Sequence, residues 1–393
     1  PSSDDIFGEI FGNGIFAVDG LEWRRQRKLY SYMFSHQMLE NHIFQEFDGL
    51  TDALIRKIDA FAETGESFDI QNLFSRLTVE GICSIAFGQK LDVIKAEKSP
   101  EFVQAFDHSQ MRAVSRRRDL FWKIRRFFNI GEEKKFAKDM EIMENFCVSM
   151  IQNIREGKDS NKFNIMRLAI DRAEKNGTTI SDVELRDIVM SFLIAGRDTT
   201  ACALTWITYE LCQNLDVLGK VLEEIKRLKS FEFQDIEKKL PYLKAVMMEA
   251  QRLHPSVPAD SKKATKDDTL PSGIKVKKGW VMAYHPYVAG RLKSVWGDDY
   301  LDFKPERFID SDNNEIKYDA SIFPSFNAGK RLCLGKPMAI LETIFVIAKL
   351  LNRYEFVLDE RKPVTYAISI ILWVKNGLWV KAKLRDEPLF KEN

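Results

Sequence analysis

The sequence predicts a mainly α fold with small β-sheet elements, and three observations carry that reading. Tracts with apolar residues at helical spacing fill most of the 393 residues. One tract, announced by Ser181-Asp182-Val183-Glu184 in the S-x-x-E form of a capping box, is apolar nearly all round and runs to about Cys212. A helix of that kind belongs across the core. Two short tracts alternate instead of following the helical period, each around turn residues. Neither an internal repeat nor a linker divides the chain, so residues 1–393 are expected to form a single domain.

Taken in order, the stretch to about Gly20 is rich in Gly and Phe and reads as loop plus a short helix. Residues 21–34 follow as a helix, with Trp23 and Arg27 four apart and hence on one face. Further helices are expected over 43–63, 70–87, 101–114 and 133–155. The basic, aromatic-interleaved segment 112–138 is read as a solvated face, with contact to a membrane surface as the alternative. After the core helix, helices are expected over 217–228 and 242–253, the second stopped by Pro255. Residues 257–287 read as small strands around Pro271-Ser272-Gly273. Near the end, 364–374 and 378–384 flank Lys375-Asn376-Gly377, which predicts a hairpin.

Apolar residues make up 45% and charged residues 30% of the chain, an ordinary globular balance, and the net charge of +1 argues against nucleic-acid binding. Five scattered cysteines without C-x-x-C spacing suit a reducing compartment better than a disulfide framework. The five histidines have no metal-ligand spacing. No apolar run reaches the roughly 18 residues of a membrane-spanning helix; the best, 188–196, runs into Arg197-Asp198.

The chemistry concentrates in Phe326-Asn327-Ala328-Gly329-Lys330-Arg331-Leu332-Cys333-Leu334-Gly335. A lone Cys is more often a buried thiol. Here Gly329 and Gly335 permit a tight loop that presents the sulfur, and Pro337 suits the first turn of a following helix. Backbone N–H groups at such a helix start favour a thiolate.

These positions fit F-x-x-G-x-R-x-C-x-G, and the chain resembles the cytochrome P-450 superfamily, with Phe326, Gly329, Arg331, Cys333 and Gly335 at every fixed place. The resemblance implies haem (iron protoporphyrin) with Cys333 as its thiolate ligand, and a helical bundle around it. Other family landmarks follow in order. Trp23 and Arg27 match W-x-x-x-R and, with Arg331, are implied to hold the haem propionates. Glu249 and Arg252 match E-x-x-R, and Arg307 lies in Pro305-Glu306-Arg307-Phe308; the three are implied to form a structural network. Ala195-Gly196-Arg197-Asp198-Thr199-Thr200 matches the core-helix motif, in which Gly196 opens room beside the haem and Asp198 and Thr199 relay protons.

The resemblance is nearest to plant-type fatty-acid ω-hydroxylases, through Gly14-Ile15-Phe16, Gly290-Arg291, Val295-Trp296-Gly297 and Val374-Lys375-Asn376-Gly377-Leu378. It implies insertion of one atom of O₂ into a C–H bond of a lipophilic substrate, with a fatty acid as the expected one. Substrate-facing residues carried over are Ile10, Phe11, Leu193, Ala195, Gly196, Val257 and Ile368. No nicotinamide or flavin fingerprint is present, so electrons are expected from NADPH through a separate cytochrome reductase. The expected location is the cytosolic face of the endoplasmic reticulum membrane. The chain is read as partial, because the family's N-terminal anchor and first strands have no counterpart here. Two alternatives stay open: a haem-thiolate isomerase or dehydratase, and a non-catalytic haem-binding fragment.

Overall fold

The computed structural model describes residues 4–158, 164–367 and 369–390. Helices α1 (Asp4–Phe11), α2 (Gly20–Tyr30), α3 (Phe44–Thr64), α4 (Ile70–Phe87), α5 (Glu101–Ser115), α6 (Trp122–Phe128), α7 (Glu132–Arg155) and α8 (Ile165–Lys175) lead to the long α9 (Asp182–Gln213). Beyond it come α10 (Leu215–Lys226), α11 (Phe233–Lys239), α12 (Pro241–Leu253) and α13 (Lys336–Arg353). The ends are set locally. Asp69 caps α4 by accepting from the Asn72 amide, and Gly88 stops it in the left-handed region at φ 65°. The Ser181 hydroxyl accepts the Glu184 amide at 3.2 Å, so the expected cap opens α9.

By length and composition α9 qualifies as a membrane span, yet 83% of its apolar window is buried within the protein, against α4, α12 and α13. It is the core's axis. Its middle, Leu193–Asp198, is a π-turn that the sequence reading did not anticipate. π-Turns insert a residue into an α-helix and cluster at functional sites.

The β content is small. Strands β2 (Asp260–Lys263) and β5 (Val281–Tyr284) pair antiparallel around the inner pair β3 (Asp268–Thr269) and β4 (Lys275–Val276), as the sequence predicts. The C-terminal hairpin is not formed as expected. Asn376 and Gly377 do turn, at φ 67° and 83°. However, β7 (Trp379–Leu384) pairs with β6 (Tyr354–Leu358) and with β1 (Phe68–Asp69), not with 364–374. Residues 364–367 instead come back against 373–374, with Tyr366 bridged to Val374 and the Ala367 amide bonded to the Trp373 carbonyl at 2.8 Å.

Segment 112–138 also departs from a plain solvated face. Arg116 is buried, pairs with Glu133 at 2.8 Å, and lies over the Phe136 ring at 4.1 Å. Around α6 the apolar side chains Leu120, Phe121, Ile124, Phe127, Phe128 and Ile130 are exposed.

Candidate active site

Two asparagine and glycine positions shape the cysteine loop. Asn327 and Gly329 hold φ of 62° and 56°, and the Cys333 amide closes the loop on the Phe326 carbonyl at 2.9 Å. Helix α13 starts three residues later, and the Gly335 and Lys336 amides donate to the sulfur. Cys333 presents accessible surface. Even so, protein packed around the sulfur pushes the thiol pKa up, opposed by those two amides and by the charges of Arg27 and Lys336.

Beside it, three predicted haem-holding side chains converge. The Arg331 and Arg27 guanidiniums lie 4.3 and 5.5 Å from the centroid of the buried Trp23 ring. Arg331 also donates to the Val18 carbonyl at 3.2 Å and pairs with Asp19. A Cβ on Gly335 would lie 3.4 Å from Phe34, whose ring stacks on Phe192 of α9. One aromatic ring therefore spans from the cysteine loop to the core helix.

Within α9 the neighbouring Leu193, Ile194, Arg197, Asp198 and Thr200 are buried, but Ala195 is exposed and Gly196 and Thr199 are half-buried. A strip of small residues thus opens in the core helix. Thr199 donates its hydroxyl to the Ala195 carbonyl at 2.6 Å. A Cβ on Gly196 would meet Ile82 Cδ1 at 2.6 Å, so its lack of a side chain also serves the close approach of α4. The surface beside Thr199 belongs to Ala195.

Asp198 faces the other way. Its carboxylate accepts from Arg197 at 2.8 Å and from the Gln110 amide of α5 at 2.7 Å. Arg197 is shared with the half-exposed Asp107 at 2.5 and 3.1 Å and with Ser75 at 2.7 Å. Burial pushes the Asp198 carboxyl up to about 6, with the Arg197 charge opposing. Sequence reasoning missed Gln110 and Asp107, which are remote in the chain and carry no motif.

Glu249 and Arg252 are both fully buried and joined by two bonds of 2.6 and 2.7 Å. Arg252 also donates to the Gly290, Tyr300 and Asp302 carbonyls, and Arg307 approaches Glu249 at 3.4 Å while pairing with Asp299 at 2.7 Å. This network ties α12 to the chain that leads into the cysteine loop.

The substrate-facing candidates divide. Ile10 and Leu193 are packed in the core, whereas Phe11 and Val257 are half-buried. Phe11 contacts Phe7 and Phe16, at centroid separations of 5.9 and 5.7 Å. Ile368 lies outside the described residues.

The residues present fit haem. The sulfur is accessible and held by amide donors, two guanidiniums stand beside it for propionates, and small residues leave part of α9 open. Among the described residues no His, Cys, Asp or Glu cluster offers a separate metal site. Fold and site together define a haem-thiolate oxygenase. The Cytochrome P450 family model matches residues 4–378, and the chain belongs to that family; it is a monooxygenase with haem as cofactor. It is 35% identical to "Cytochrome P450 704C1" of Pinus taeda, over 97% of this chain and 79% of that one. It is also 33% identical to "Cytochrome P450 94B1" of Arabidopsis thaliana, over 98% and 77%, and 32% identical to "Cytochrome P450 94A1" of Vicia sativa, over 90% and 70%.

Proposed function

We propose that the chain hydroxylates fatty acids towards the methyl end, with electrons passed from NADPH through a separate reductase. The observation that carries this reading is the small-residue strip of α9 at Ala195 and Thr199, with the half-buried Phe11 and Val257 available to line an alkyl chain. Bound haem supplies oxygen activation, for which a thiolate ligand pushes electron density onto iron and favours O–O cleavage. The chain's own residues hold and move protons. Asp198, whose carboxyl burial pushes up to about 6, takes up a proton on the α5 side of α9, and the Thr199 hydroxyl presents one at the open side. Trp23, Arg27 and Arg331 orient the cofactor.

The exposed apolar residues of α6, next to Arg117 and Arg118, support contact with a membrane surface, which would bring lipophilic substrate to the protein. Placement on the cytosolic face of the endoplasmic reticulum rests on the resemblance alone.

The test is product analysis of the haem-loaded chain with NADPH, an added cytochrome reductase, and dodecanoic or hexadecanoic acid. Hydroxylation near the methyl end is expected. Thr199→Ala should leave NADPH consumption but lower product formed per NADPH, while Thr199→Ser retains it. Reaction of fatty-acid hydroperoxides without NADPH, and none of the free acids, would favour the isomerase or dehydratase class instead.

A further inference from the structure

One stripe of α9 runs from the proton-handling Thr199 to the far end of the helix: Thr199, Cys202, Trp206 and Glu210, which share a face at helical spacing. Each reaches the segments that approach from α12 and from 364–374. The Ser256 hydroxyl donates to the Thr199 carbonyl at 2.8 Å. The Cys202 thiol and Trp206 Nε1 both donate to the Leu372 carbonyl, at 3.3 and 2.6 Å, and the Leu372 amide donates to the Ser256 carbonyl at 3.0 Å. At the end of the stripe, Glu210 meets the ring of buried His254.

His254 is engaged on every side. Nε2 lies 2.6 Å from Glu210 Oε1, and Nδ1 lies 3.1 Å from the Tyr366 hydroxyl. The ring stacks on Trp206 with centroids 4.1 Å apart and planes 3° from parallel. Glu210 is itself held by Asn214 at 3.0 Å, and Arg291 reaches the Tyr366 hydroxyl at 3.4 Å while lying 3.8 Å over Tyr287. Burial lowers the His254 pKa, Glu210 opposes this, and Arg291 and Arg252 add to the lowering. A neutral ring donates from Nε2 to Glu210 and leaves Nδ1 to accept from Tyr366. Tyr366 is bridged to Val374, so this chain fixes where 364–367 and 373–374 stand relative to Thr199.

We propose that His254, through Glu210 and Tyr366, is a positioning residue that sets which carbon of a bound alkyl chain is oxidised, by fixing Tyr366 and Leu372, and with them Ser256 and Val257, against the Thr199 stripe of α9. The inference rests on the reading of Val257, next to Ser256, as substrate-facing, not on the substrate being an acid.

The experiment uses the haem-loaded full chain with added reductase, and Tyr366→Phe, which removes only a hydroxyl from a half-exposed side chain. His254→Gln and Trp206→Phe are run in parallel. Each is given dodecanoic acid and, separately, dodecane. The ratio of terminal to in-chain alcohols is read with product per NADPH and the substrate-induced spin-state change. Tyr366→Phe is expected to shift the product ratio about two- to tenfold, the range that one neutral hydrogen bond spans, with haem content and the reduced, CO-bound spectrum unchanged. Trp206→Phe should move it the same way. A ratio within twofold of the parent on both substrates would overturn the proposal, as would lowered thermal stability with an unmoved ratio. Oxidation of dodecane without dodecanoic acid rejects the fatty-acid reading, while the ratio still decides the role of His254.

Discussion

The Arg331 guanidinium lies 4.3 Å from the centroid of the Trp23 ring, joining the cysteine loop to α2 across more than 300 positions of sequence. The contact depends on a ring that is buried and on a cation already tethered to Val18 and Asp19. Trp23→Ala removes both the packing, about 3–5 kcal/mol for such a truncation, and the ring that Arg27 and Arg331 both approach, about 1 kcal/mol each. Haem recovered per chain, measured as its pyridine complex, should fall several-fold, whereas Trp23→Phe should keep most of it. Equal retention in both variants would show that the ring does not organise these cations.

Arg252 neutralises a fully buried Glu249 and satisfies three carbonyls. Arg252→Met leaves that carboxylate buried with only the more distant Arg307 and the Lys304 amide, which costs up to about 3–5 kcal/mol. The denaturation midpoint should drop accordingly. The double variant Glu249→Met/Arg252→Met should lose less than the two single changes summed, because the stranded charge is gone too. Additive losses would contradict the coupling.

Gly196 lets α4 and α9 approach closely, with Ile82 in the space a side chain would take. Gly196→Ala should destabilise by about 1–3 kcal/mol through overpacking. Ile82→Ala removes Cγ1 and Cδ1, the atoms that would clash, so the same glycine change should cost much less in that background. Thermal melts of the four chains test it; an undiminished cost would place the strain elsewhere.

Glu342 on α13 is buried, its Oε1 has no hydrogen-bond partner, and burial raises its pKa well above the ordinary carboxylate value. The folded chain keeps a proton that the unfolded chain releases near about pH 4.3. Stability therefore falls as pH rises from that value towards the raised one, by at most about 1.4 kcal/mol per pH unit. Glu342→Gln should flatten this part of the pH dependence. Urea midpoints compared at about pH 6 and about pH 8 check the sign.

Much of this architecture was legible because its signals are local. Helix α4 was read to the residue, since Asp69 caps it and Gly88 ends it. The cysteine loop and the Glu249–Arg252 pair were visible as spaced motifs. What escaped depends on distant partners. The Asn376-Gly377 turn predicted a hairpin, but a turn does not specify which edge the following strand joins, and Asp69 receives the chain there through the Leu378 amide. Gln110 reaches Asp198 from 88 positions away, and the Glu210–His254–Tyr366 chain joins three elements without a shared pattern. The π-turn left no trace because α9 is apolar nearly all round, so one extra residue disturbs no hydrophobic period.

That extra residue has a geometric effect well beyond its six positions. A regular α-helix advances about 100° per residue. Removing a single residue within Leu193–Asp198 would rotate the whole second half of α9 by that angle about its axis. Cys202, Trp206 and Glu210 would turn away from Leu372 and His254 while Leu185–Phe192 stayed in place. The π-turn acts as a phase offset between two half-helices: the first packed on α7 and on Tyr30 of α2, the second on α4 and the C-terminal loop, with Ala195 and Thr199 at the joint.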